Sequence, residues 1–209
     1  MIEDVVRRYK QFLNEHEWLA YGSLGWTVCL YGENTSIDIE EQVTRALSRS
    51  GQIERSAMSV VEEPLCTPGV VVFYERLAYG FFLLEVEESC VSESRALRTL
   101  SEEGSVWNAS WNSGYHSRFT YSEGGAIAYK WSDVQFSTPP PVGALQRAAE
   151  AIAGVVELCH TENRHPSFAD LLAIVDLSTG VTLSNVWLDE IRPCYIIRDP
   201  LPRVGWAYE

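Results

Sequence analysis

The chain has 209 residues, 46% of them hydrophobic and 22% charged; this excludes a disordered or low-complexity polypeptide and supplies a core that needs neither disulfide nor metal to fold. Its 29 acidic and 16 basic residues leave a formal net charge of −13, which repels phosphate backbones and anionic lipid and argues against nucleic-acid and membrane partners. Cysteines at 29, 66, 90, 159 and 194, odd in number and without a CxxC pair, read as free thiols in a reducing cytoplasm, and the longest apolar run, YGFFLLEV, is far short of the ~18 residues of a membrane span.

From the N-terminus, Ile2, Val5, Val6, Tyr9, Phe12, Leu13 and His16 recur at helical spacing, so 2–16 is an amphipathic helix and not a secretory signal. Gly22 and Gly25 break the pattern, and WTVCLYG (26–32), rich in β-branched and aromatic residues, reads as a strand. Asp38 with Glu41 makes a capping box for a helix that carries Val43, Ala46 and Leu47 and stops at Gly51. Residues 52–68, broken by Pro64 and Pro68, read as mostly irregular. GVVVFYE (69–75) and YGFFLLEVE (79–87) are strands joined by a connection too short for a parallel crossover, hence a hairpin. Ser92 caps a second short helix with Ala96, Leu97 and Leu100, ending near Gly104. The stretches GWTVCLYG…DIEEQVTRALSRSG and YGFFLLEV…SESRALRTLSEEG thus share the order strand, connector, capped helix, glycine, which is too few copies for a repeat protein.

SVWNASWN (105–112), SRFTYSE (117–123) and AIAYKW (126–131), separated by Ser113–Gly114 and Gly124–Gly125, form an antiparallel meander. Alternation places Trp107, Ala109 and Trp111 on one face and Asn108, Ser110 and Asn112 on the other. It separates Phe119 and Tyr121 from Arg118 and Thr120 in the same way, and Ile127, Tyr129 and Trp131 from Ala126, Ala128 and Lys130. The aromatic face reads as packed core and the polar face as wet. Recognition would use the polar face, through Asn108, Asn112 and Arg118, unless that face is plain solvated sheet.

TPPP (138–141) ends the sheet region as a stiff connector. Leu145, Ala148, Ala149, Ile152, Val155, Val156 and Cys159 then make one helix, and Ser167 with Asp170 opens another that closes at Gly180. Residues 184–190 add a short third helix, and the tail with Pro193, Pro200 and Pro202 reads as extended and packed through Trp206. The class is α+β: a central antiparallel sheet with two short strand–helix units, an N-terminal helix and a helical C-terminal region. The division expected is a sheet domain over 1–137 and a helical region over 138–209 packed on it.

Signatures of catalysis are missing. There is no GxxxxGK[ST] or GxGxxG phosphate cradle and no GxSxG nucleophile elbow. Cys159, His160 and His165 lie close together, but Cys159 falls on an apolar stripe and no second Cys/His pair stands at finger spacing, so no metal and no cofactor is expected. Glu85 and Glu87 share a strand face, as an acid–base pair would, but a solvated strand end is the stronger explanation.

Several stretches resemble a domain family of unknown function that is widespread in actinobacteria and made of small acidic cytoplasmic proteins. They are TVCLYG with DIEEQVTRAL, YGFFLLEVE with SESRALRTLSEEG, WNSGYHSRFTYSEGG and FADLLAIVDLSTGVTLSNVWL, together covering roughly 20–190. Trp111–Asn112, the Arg118–Phe119–x–Tyr121 block and the Thr179–Gly180–Val181 turn carry most of the resemblance, while 52–68 and the proline-rich tail depart from it. The resemblance implies this fold class and a bacterial cytoplasmic setting, and no catalytic residue.

The function expected is therefore a non-enzymatic acidic protein-binding module, such as an immunity-type inhibitor of a basic toxin or effector domain. Its surface would comprise Glu33, Asp38, Glu40, Glu41, Glu85, Glu87, Trp111, Asn112 and Arg118, acids steering a basic partner and aromatic or arginine anchors holding it. The alternative is a small-molecule-sensing regulatory domain with Arg118 beside an apolar pocket for an anion.

Overall fold

The computed structural model describes residues 2–33, 35, 37–61, 67–86, 90–114, 116–132 and 143–202. The N-terminal amphipathic stripe becomes α1 (Ile2–Glu15), which buries Val6, Tyr9, Phe12 and Leu13. A short α2 (Glu17–Tyr21) leads into β1 (Leu24–Tyr31), and Asp38 caps α3 (Ile39–Leu47) by accepting from the Glu41 amide at 3.2 Å. Then come β2 (Glu54–Ser59), β3 (Val70–Leu77) and β4 (Gly80–Val86), followed by α4 (Ser94–Leu100). The meander is β5 (Gly104–Trp111), β6 (Ser117–Glu123) and β7 (Ala126–Ser132). The C-terminal part contains α5 (Leu145–Thr161), α6 (Phe168–Thr179), α7 (Asn185–Leu188) and β8 (Ile191–Ile197).

All eight strands form one antiparallel sheet in the order β2-β8-β3-β4-β1-β5-β6-β7. At its centre, β1–α3–β3 and β4–α4–β5 are two split βαβ units: β4 lies between β1 and β3, and β1 between β4 and β5. The recurring strand–helix pattern of the sequence is this pair of units, with α3 and α4 side by side on one face. The opposite face carries α1, α5 and α6 over Trp26, Phe82, Leu84, Trp107, Trp111 and Phe119. Ser167 and Asp170 complete the capping box of α6, and Gly180 ends it in the left-handed region at φ 74°. Helices therefore cover both faces of the sheet. That coverage decides where a site can lie.

Four expectations change. Residues 54–59 of the stretch read as irregular form the edge strand β2; its sequence, ERSAMS, is polar because one long side faces solvent. The tail supplies β8, which enters the sheet between β2 and β3, so the C-terminal region is not helical alone; Pro193 stands opposite Ala57, one residue before β3 begins to pair at Cys194. Ser92 is not the cap of α4, whose N-cap position is Glu93, with no side-chain bond to the helix amides; the Ser92 hydroxyl instead accepts from Asn108 at 3.2 Å. A β-bulge between Tyr121 and Ser122 flips Ile127 to the α3/α4 face, away from Tyr129 and Trp131. Trp206 and the prolines of 138–141 lie outside the described residues.

Candidate functional site

The acids and anchors named from sequence do not form one surface. Glu33 is exposed in the turn after β1. Asp38 and Glu41 are exposed at the start of α3, and Glu40 pairs with Arg55 of β2, which neutralises part of that patch. The groove along α3 also holds Arg45 and Arg49, so its charge is mixed. Glu87 lies outside the described residues. Trp111 is fully buried, stacked on Phe168 at 4.6 Å with its Nε1 donating to the Leu19 carbonyl at 2.8 Å. Asn112 builds the β5–β6 turn: its Oδ1 accepts from the amides of Gly114 at 2.9 Å and His116 at 3.2 Å.

Glu85 and Arg118 require a correction of a different kind. The face expected to be wet is covered, and Glu85 is 0% and Arg118 4% exposed. The Glu85 carboxylate accepts from the backbone amides of Cys90 at 2.9 Å and Val91 at 2.7 Å, so it anchors the chain entering α4 and presents nothing to a partner. Beside it Asn108 donates to Thr27 at 2.9 Å and accepts from Ser110 at 3.1 Å, closing a polar network within the sheet. Of five cavities bounded by described residues, Arg118 lines none.

A different group of acids converges at the end of the sheet where β1 finishes and β5 starts. A cleft of about 770 Å³ lies there, walled by Tyr31 of β1, Glu102 and Glu103 after α4, Trp107 of β5, Glu123 at the β6–β7 turn and Arg147 of α5. Its floor is close-packed: a side chain at Gly104 would meet the Leu30 carbonyl and, at 2.8 Å, the Tyr31 ring. Gly124 and Gly125, at φ 57° and 75°, make the two-residue turn that holds Glu123 at the rim.

Hydrogen bonds fix the cleft's polar groups. Tyr121 Oη donates to Glu123 Oε2 at 2.9 Å, and the Tyr121 ring packs against Trp107 at 5.1 Å. Burial, with a further push from Glu123, raises the Tyr121 phenol to about 12, so it stays a donor at neutral pH. Tyr31 Oη donates to the Leu100 carbonyl at 3.0 Å, and burial raises its phenol further still. Glu102 is bridged by Arg45 at 2.8 Å, whereas Glu103 is exposed and has no bonded partner among the described residues. Glu103 and Glu123 are exposed and line the cleft beside the mostly buried rings of Tyr31 and Trp107, an arrangement that suits a cationic side chain of a partner.

Comparison with protein-family models, with curated proteins and with solved structures finds no match for this chain. No family is assigned to it, and the chemistry of the cleft has to carry the functional reading.

The cleft was hidden in the sequence because its acids come from 102–103 and 123, on either side of two strands. The local signal was a carboxylate next to a glycine turn, in SEEG and SEGG, and it gives no hint that the two turns meet. Among the described residues no group of three metal-ligating side chains is found, and no helix is long and apolar enough to cross a membrane. Cys29, Cys90, Cys159 and Cys194 are buried, and desolvation raises the thiols of the first three, Cys159 to about 11 and Cys90 to about 12.

Proposed function

We propose that the chain is a non-enzymatic protein-binding module that seats a basic segment of a partner protein in the acidic, aromatic-walled cleft. An immunity-type block of a basic toxin or effector domain in a bacterial cytoplasm, within a group of small acidic proteins such as the sequence resembles, is the form of this reading that the charge favours. The observation that carries it is the convergence of Glu102, Glu103 and Glu123 with Tyr31 and Trp107 on one concavity of a molecule with net charge −13. The negative field gathers a cationic partner over distance, and the tyrosine and tryptophan supply the desolvated contact that holds it.

The experiment is affinity capture from a native bacterial lysate on the immobilised chain and on its Glu103→Lys/Glu123→Lys variant. A basic protein held by the wild-type chain at low salt, released at roughly 0.5 M salt and absent from the variant column, supports the reading. A partner retained equally by both columns overturns it.

A further inference from the structure

Most of the described arginines have a carboxylate partner; Arg76 is held by the Ile37 carbonyl instead, and Arg147 stands without one in the cleft. Arg8 is matched by Asp176, Arg45 by Glu102, Arg55 by Glu40, Arg164 by Asp170 and Arg198 by Glu54. Arg95 and Arg98 of α4 are exposed, and neither guanidinium makes a hydrogen bond or ion pair with any described residue. In a chain with 29 acids and 16 bases, two adjacent arginines left without a carboxylate need a reason.

They do not lie on an open surface. With Lys130 of β7 they line a concavity of about 560 Å³ between α4 and the β6–β7 hairpin. Its one carboxylate, Glu102, is held by Arg45 at 2.8 Å. Directly across from Lys130 in the strand register is Thr120, 1% exposed, whose hydroxyl oxygen has no hydrogen-bond partner. Arg95 and Arg98, with Lys130 on the facing wall and a carboxylate already paired to Arg45, give this concavity a chemistry opposite to that of the neighbouring cleft.

We propose that this pocket binds a small molecule bearing a terminal phosphate or an equivalent dianionic oxyanion. Arginines three apart on a helix are neighbours at roughly 5–6 Å, and two guanidinium forks so placed can grip separate oxygens of one phosphate. Lys130 adds a point charge from the opposite wall. The molecule as a whole repels anions, so binding here depends on short-range contacts and is specific to this pocket. The site shares only Glu102 with the cleft, its three cations line this pocket and not the cleft, and it stands whether or not the cleft takes a basic partner.

Titration calorimetry with inorganic pyrophosphate at low ionic strength tests it. The wild-type chain should show saturable binding at one site, weakened about tenfold or more in Arg95→Gln/Arg98→Gln, as expected for loss of two charge-assisted contacts. Both side chains are exposed and unbonded, so this variant keeps the fold, which far-UV circular dichroism verifies. Arg7→Gln/Arg49→Gln removes the same net charge at exposed positions outside both the cleft and this pocket and should leave affinity within about twofold of wild type. No saturable heat up to roughly 10 mM pyrophosphate, or an equal loss in both double variants, overturns the proposal.

Discussion

At the scale of single residues, the same acid type does opposite jobs depending on burial. Glu85 and Glu41 are both acids in the first half of the chain, yet Glu85 is closed over by the Cys90 and Val91 amides while Glu41 stands in water. Removing the Glu85 carboxylate strands two buried donors, so Glu85→Ala should cost about 2–4 kcal/mol in urea unfolding, against less than about 0.5 for Glu41→Ala. Equal effects would mean that Glu85 is a surface acid after all. Asp170 is a second such anchor: it takes both nitrogens of Arg164, at 2.6 and 3.0 Å, together with the Ser167 amide and hydroxyl, each at 2.7 Å. Asp170→Ala leaves the half-sheltered guanidinium and the start of α6 uncompensated, and a loss of about 3 kcal/mol is expected from the same measurement.

At the scale of elements, legibility followed local chemistry. The hairpin of β3 and β4, the Gly124–Gly125 turn and the Ser167/Asp170 start of α6 each rest on residues adjacent in sequence, and each was readable. What failed depended on neighbours distant in sequence. β8 holds Pro193, which argues against an interior strand until it is seen that pairing with β3 begins at Cys194. Alternation separates the polar from the aromatic face along β5 and β6 but says nothing about what covers each side, so by itself it places Asn108 and Arg118 in water. β8 links β2 to the remaining strands, so a chain ending at residue 190 exposes the long side of β3 and loses β2 altogether. Such a truncation should elute as aggregate or unfolded chain in gel filtration; a monomer with native circular dichroism would show that β8 is dispensable.

At the scale of the whole molecule, burial of thiols and phenols sets the alkaline limit. Cys159 is raised to about 11 and Cys90 to about 12 from an ordinary 9.0, and Tyr121 to about 12 from 10.0, all chiefly by desolvation. Below pH 9 both the folded and the unfolded chain hold these protons, so stability is unaffected. Between pH 9 and about 12 the unfolded chain releases protons that the folded chain keeps, so unfolding becomes easier as pH rises. Urea midpoints should therefore be level from pH 7 to about 8.5 and fall steadily above pH 9. A midpoint unchanged at pH 10.5 would contradict the burial of these groups.

Net charge alone fits a basic partner at any acidic patch, and the structure offers two: the groove of α3 with Glu40 and Glu41, and the cleft with Glu103 and Glu123. The groove has Arg45, Arg49 and Arg55 among its acids, whereas the cleft has aromatic walls and a single arginine. Fluorescence polarisation with a labelled arginine-rich peptide separates them most directly. Glu103→Gln/Glu123→Gln should weaken binding by about tenfold or more, while Glu40→Gln/Glu41→Gln, with the same change in net charge, should alter it by less than about twofold. Equal weakening in the two variants would reduce the acidity to a general field, and the cleft would lose its claim to be the binding site.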